Sequence, residues 1–97
     1  MRAILPYRST PVFDAETLPV ALRKEHRTKP GVWGLVRVLE GQLMLSFPDG
    51  TEQLLSSAAP GFLVPDQPHW VTPLGEMRMQ VEFYNERPLP LRGNPAS

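Results

Sequence analysis

Proline is the feature that most constrains this chain. Twelve of its 97 residues are proline, and the longest stretch without one runs from Gly31 to Phe47. An interior proline removes a helical hydrogen bond and clashes with the preceding turn. Long helices are therefore excluded over most of the sequence. Many short strands joined by ordered turns are what remains, and the length suits one domain.

The hydrophobic pattern agrees. Val32 to Leu39 (VWGLVRVL) is rich in β-branched and aromatic residues and predicts the strongest strand. Gln42 to Phe47 alternates, with Leu43, Leu45 and Phe47 on one face. Pro48-Asp49-Gly50 then signals a hairpin, and Thr51 to Leu55 returns. Shorter strands are expected at Phe62 to Val64 and His69 to Thr72. Met77 to Tyr84 alternates again, setting Met77, Met79, Val81 and Phe83 against Arg78, Gln80, Glu82 and Tyr84. Earlier, residues 1–13 read as an extended arm. Asp14 is placed to cap one short helical turn, and Val20 to Thr28 is a candidate strand. The whole is all-β, a sandwich or small barrel, with a core over about 9–88 and a loose proline-rich tail over 89–97.

Composition narrows the function. Ten basic and ten acidic residues leave a formal net charge of zero, which argues against a nucleic-acid surface. No apolar run approaches the ~20 residues needed to cross a bilayer. The N-terminus lacks the apolar core of a secretion signal, so a cytoplasmic protein is expected. With no cysteine, disulfides, thiolate metal sites and thiol nucleophiles are excluded. A metal would have to use His, Asp, Glu, backbone or water. The two histidines are His26, in KEHRTKPGVWG, and His69, in PDQPHWV.

These segments carry a resemblance. The succession of Gly61, Pro65 and His69 resembles the second motif of the cupin superfamily. His26 and Gly41 fall at positions of the first, while Thr28 and Trp33 stand near positions where a full cupin carries ligands. More narrowly, EHRTKPGVWG, PDQPHWVTPLG and VEFY look like the TehB/YeaR-like domain family, small cupins associated with tellurite resistance. The resemblance implies a cupin-type double-stranded β-helix, a small antiparallel jelly-roll barrel. It also implies a metal site made by His26, His69 and Glu82. No methyltransferase segment is present, so methyl transfer is not carried over.

Two neutral imidazoles and a carboxylate suit a divalent ion with positions left open: zinc first, with iron or nickel as alternatives. Imidazole is largely deprotonated at pH 7, given its reference pKa of about 6.5. Trp33, Arg37 and Arg78 are candidates to line the pocket, and Asp66 is a substitute ligand. The expected function is binding or transformation of a small molecule, in a tellurite or other stress response. A metal-free binding module is the alternative. If Glu82 faces inward, the apolar Met77, Met79, Val81 and Phe83 face outward and would suit a homodimer contact.

Overall fold

The structure, a computed structural model, describes residues 5–88; the tail expected over 89–97 lies outside them. The elements in order are β1 (Arg8–Ser9), β2 (Phe13–Asp14), α1 (Val20–Arg23), β3 (Trp33–Glu40), β4 (Leu43–Ser46), β5 (Glu52–Leu55), β6 (Gly61–Leu63), β7 (Trp70–Pro73) and β8 (Arg78–Tyr84). They form two antiparallel sheets. One has the order β1-β8-β3-β6, with β2 also pairing β8, and the other is β5-β4-β7.

The arm is extended, as expected, and is also paired. β1 and β2 run antiparallel along β8, Arg8 opposite Phe83 and Phe13 opposite Met79. In the central β3–β8 ladder Leu35 lies opposite Glu82 and Arg37 opposite Gln80, with a register shift between Val38 and Glu40. β4 and β5 form the hairpin turned by Pro48-Asp49-Gly50. Its turn is closed by Phe47 N donating to Thr51 O at 3.0 Å, and Gly50 takes a positive φ of 93°.

Alternating side chains of both sheets fill one core. Val36, Val38, Leu63, Met79 and Val81 come from the larger sheet, and Leu43, Leu45, Leu55 and Val71 from the smaller. Gly61 marks a close approach between the sheets. A Cβ there would lie 2.6 Å from the Leu55 Cδ1 and 3.3 Å from the Leu45 Cδ2.

Three expectations are corrected. First, Val20 to Thr28 is not a strand. Val20–Arg23 is a four-residue helix, and beyond it the segment makes one isolated bridge, at His26. Arg23 anchors this turn by donating to the carbonyls of Leu18 and Ala15. Asp14 ends a strand rather than starting a helix. Its carboxylate still caps the following turn, accepting from Glu16 N at 2.9 Å and Thr17 N at 2.8 Å. Those backbone donors, Thr17 first, hold its pKa below the usual carboxylate value.

Second, the pairings among the described residues do not close a barrel. Where residues 24–28 meet residues 66–69, pairing is a single bridge plus one further bond, Asp66 N to Thr28 O. Pro65 and Pro68 have no N–H to extend that ladder. Third, Met77, Met79 and Val81 are buried in the core at 2%, 0% and 5% exposure. That face of β8 is therefore not an outer dimer surface, and its opposite face carries Glu82.

Candidate functional site

The two histidines, forty-odd residues apart in sequence, are neighbours. After α1 the chain becomes extended at Lys24 (φ −114°, ψ 160°). His26 and His69 then exchange both backbone hydrogen bonds, 2.9 Å from His26 N and 2.8 Å from His69 N. Residues directly opposite in an antiparallel pair present their side chains on the same face. The ring centroids are accordingly 4.3 Å apart, with the planes at 67°.

Each ring is aimed by a backbone carbonyl two residues earlier. His26 Nδ1 lies 2.8 Å from Lys24 O, and His69 Nδ1 2.8 Å from Gln67 O. A carbonyl only accepts, so each neutral ring carries its proton on Nδ1 and a lone pair on Nε2. A second nitrogen held by a carbonyl is the usual support of a metal-binding histidine. His69 is 1% exposed. Its Nε2 is buried with no hydrogen-bond partner among the described residues. An unpaired buried acceptor costs about 1–3 kcal/mol. Burial pushes the His69 pKa below its ordinary value, and His26 pushes the same way, against the opposing Gln67 carbonyl bond. The ring is thus kept in the form that can donate a lone pair.

A cavity of about 470 Å³ opens at this pair. Its inner wall is apolar, with Leu63, Val81 and Phe83 from the sheet and Leu22 and Val32 beside them. Tyr7, Arg8 and Thr10 of the arm close one side, and Arg27, Thr28 and Lys29 another. The arm is held by Tyr7 N donating to Phe83 O and Thr10 N to Val81 O, each at 2.9 Å, and by Val81 N donating to the Thr10 hydroxyl at 3.0 Å. Its part in the site was not foreseen, because RSTP shows no alternation that would predict a strand.

The other candidates lie elsewhere. Glu82 projects from the face of β8 opposite to Val81 and Phe83. It accepts from Arg37 Nε at 2.9 Å and from the Tyr84 hydroxyl at 2.7 Å. Arg37 and Trp33 share that second face with the buried Leu35 and Tyr84, and Trp33 stacks on Phe62 with centroids 5.4 Å apart. Arg78 pairs with Glu40 at 3.2 Å. None of Trp33, Arg37 and Arg78 lines the histidine cavity. Asp66 is half-exposed and faces Arg27 at 3.4 Å. Among the described residues no three His, Asp or Glu side chains gather as a metal-ligand set.

Tyr84 yields a pH prediction. The residue is 2% exposed. Burial first, then its bond to Glu82, pushes its pKa up to about 12. The fold thus favours the neutral phenol over its unfolded value near 10. The associated stability is fully present below about pH 10 and is lost as pH rises through about 12. In urea melts at pH 9 and at pH 11.5, wild type should lose more stability than Tyr84→Phe. Parallel losses would show that Tyr84 is not the group responsible.

The comparisons with known proteins fit this architecture. The family model of the TehB-like domain matches residues 8–81. The crystal structure of TehB from Haemophilus influenzae superposes with a TM-score of 0.75 at 27% identity, over 84% of this chain and 31% of that one. This chain thus spans less than a third of that TehB. A protein from E. coli strain K12 superposes with a TM-score of 0.75 over 87% of this chain and 92% of its own, and at 18% identity the likeness is one of fold. Among curated proteins there is no significant match. With the family model covering both strands of the arm and the histidine bridge, the chain belongs to the TehB-like domain family.

Proposed function

We propose that this domain binds a small molecule in the His26–His69 cavity, with a divalent metal held by the Nε2 atoms of the two histidines. The observation that carries this reading is the buried, partnerless Nε2 of His69, beside a second imidazole whose Nδ1 is also committed to a carbonyl. The donor set fits zinc, iron or nickel as two neutral nitrogens. Glu82 does not fit as the third ligand, because its carboxylate is engaged by Arg37 and Tyr84 on the other face. Water or the bound molecule would complete the coordination. A bound divalent ion would supply Lewis acidity toward an oxygen ligand.

The two facing sheets with a cavity at one end are read as an open form of the cupin jelly roll. A role in a tellurite or other stress response rests on the family resemblance. A metal-free binding module is the second reading, favoured by the presence of only two protein donors.

Zinc titration of chelator-stripped protein tests the metal. Wild type should bind one ion per chain. His26→Ala and His69→Ala should each lose roughly 100-fold or more in affinity, since each removes half the protein donors. Unchanged stoichiometry and affinity in both variants would exclude the pair as ligands, and no binding by wild type would leave the metal-free reading.

A further inference from the structure

The cavity has a chemical bias that the metal does not explain. Among the described residues, none of those lining it is acidic, whereas Arg8, Arg27 and Lys29 stand around it with the two histidines. The chain as a whole carries equal numbers of acidic and basic residues. The lining is therefore biased toward positive charge although the chain as a whole is neutral.

Arg27 is already engaged by Asp66 at 3.4 Å. Arg8 and Lys29 have no carboxylate partner among the ion pairs of the described residues. Arg8 is also held in place, its guanidinium carbon lying 4.8 Å from the Phe83 ring centroid. That contact fixes a cation directly over an apolar wall of the cavity.

We propose that the ligand of this cavity is a small organic acid, a carboxylate carried on an apolar body. This deepens the reading of the cavity as the binding site and rests on it. The carboxylate lies toward Arg8 and Lys29, and would meet the histidine Nε2 lone pairs only through a bound metal ion. The body fills the space between Leu22, Val32, Leu63, Val81 and Phe83. Two observations select this class over a bare inorganic oxyanion. About 470 Å³ is of the size that holds a drug-like molecule. The walls facing that volume are mainly hydrocarbon, and a hydrated oxyanion would leave them without apolar contact.

The test is calorimetric titration of hexanoate, hexanamide and tellurite into chelator-stripped and zinc-loaded protein. Hexanoate should bind more tightly than either comparator. The Arg8→Gln/Lys29→Gln double variant should weaken hexanoate by about tenfold or more, since two charged donors are lost, while its zinc affinity is retained. Equal binding of hexanamide, tighter binding of tellurite, or an unchanged hexanoate affinity in the double variant overturns the inference. So does absence of hexanoate binding in both forms. Hexanoate binding to the stripped form, by a protein that takes up no zinc, would uphold the organic acid and remove the metal. Zinc uptake without hexanoate binding would do the reverse.

Discussion

Gly41→Ala is expected to cost about 3 kcal/mol of folding stability, from left-handed backbone strain of ~1–2 kcal/mol and a steric overlap of similar size. Gly41 joins β3 to β4 with φ at 74°. A Cβ there would collide with the carbonyl oxygen of Glu76 and come within 3.0 Å of the Met77 Cα and Cβ. The obstacle is largely backbone, so no rotamer change relieves it. Met77 is itself in the core. Gly50→Ala is the matched comparison. It has a φ of 93° but no atom within 4 Å of where a Cβ would stand, so only the backbone strain applies. Thermal melts should place Gly41→Ala roughly 10 °C or more below wild type, at ~4–8 °C per kcal/mol for a domain of this size. Gly50→Ala should lose about half as much. Equal losses would show that the approach of residues 76–77 to Gly41 is not tight.

Glu82→Leu carries the second large effect, on stability and not on metal binding. The Glu82 side chain is 16% exposed and the Arg37 side chain 41% exposed. The ion pair is half-solvated and contributes little, ~1 kcal/mol at most. The larger loss is at Tyr84, whose buried hydroxyl would keep no acceptor, at about 1–3 kcal/mol. Together the variant should lose about 3 kcal/mol in a urea melt. Adding Tyr84→Phe removes the stranded hydroxyl, so the double variant should lose less than the sum of the two single changes. Additive losses would show that the two side chains are not coupled. Zinc affinity should match wild type throughout. A loss comparable to His69→Ala would instead restore Glu82 as a ligand.

The strands were legible because their side chains alternate. β4 and β8 lie within a residue of where period two predicts them, and β3 within a residue of where β-branched and aromatic content does. What alternation does not reveal is which face turns inward. On β8 both faces include large side chains, and the deciding term is the apolar area of Met77, Met79 and Val81 against the charges of Arg78 and Glu82. On β3 the face of Trp33 holds both Arg37 and the fully buried Leu35, so it is a second covered face rather than a solvated one. The four-residue helix at Val20 was illegible because VALR is shorter than one hydrophobic repeat and reads equally as strand. The histidine pairing was suggested by family resemblance rather than by local pattern. It depends on two loops whose bridging bonds are backbone to backbone, which residue type does not encode. The arm's role escaped because its residues show no alternation that would predict a strand.

That dependence on backbone atoms bears on how such a domain can diversify. Both imidazoles are aimed by the carbonyls of Lys24 and Gln67 and by each other's peptide groups. Every amino acid supplies those carbonyls, so positions 24 and 67 are free to drift without turning either ring. The cavity walls come instead from side chains on the arm, α1 and the sheet. Substitutions at those two positions therefore leave the ring pair in place, while substitutions in the walls reshape the cavity.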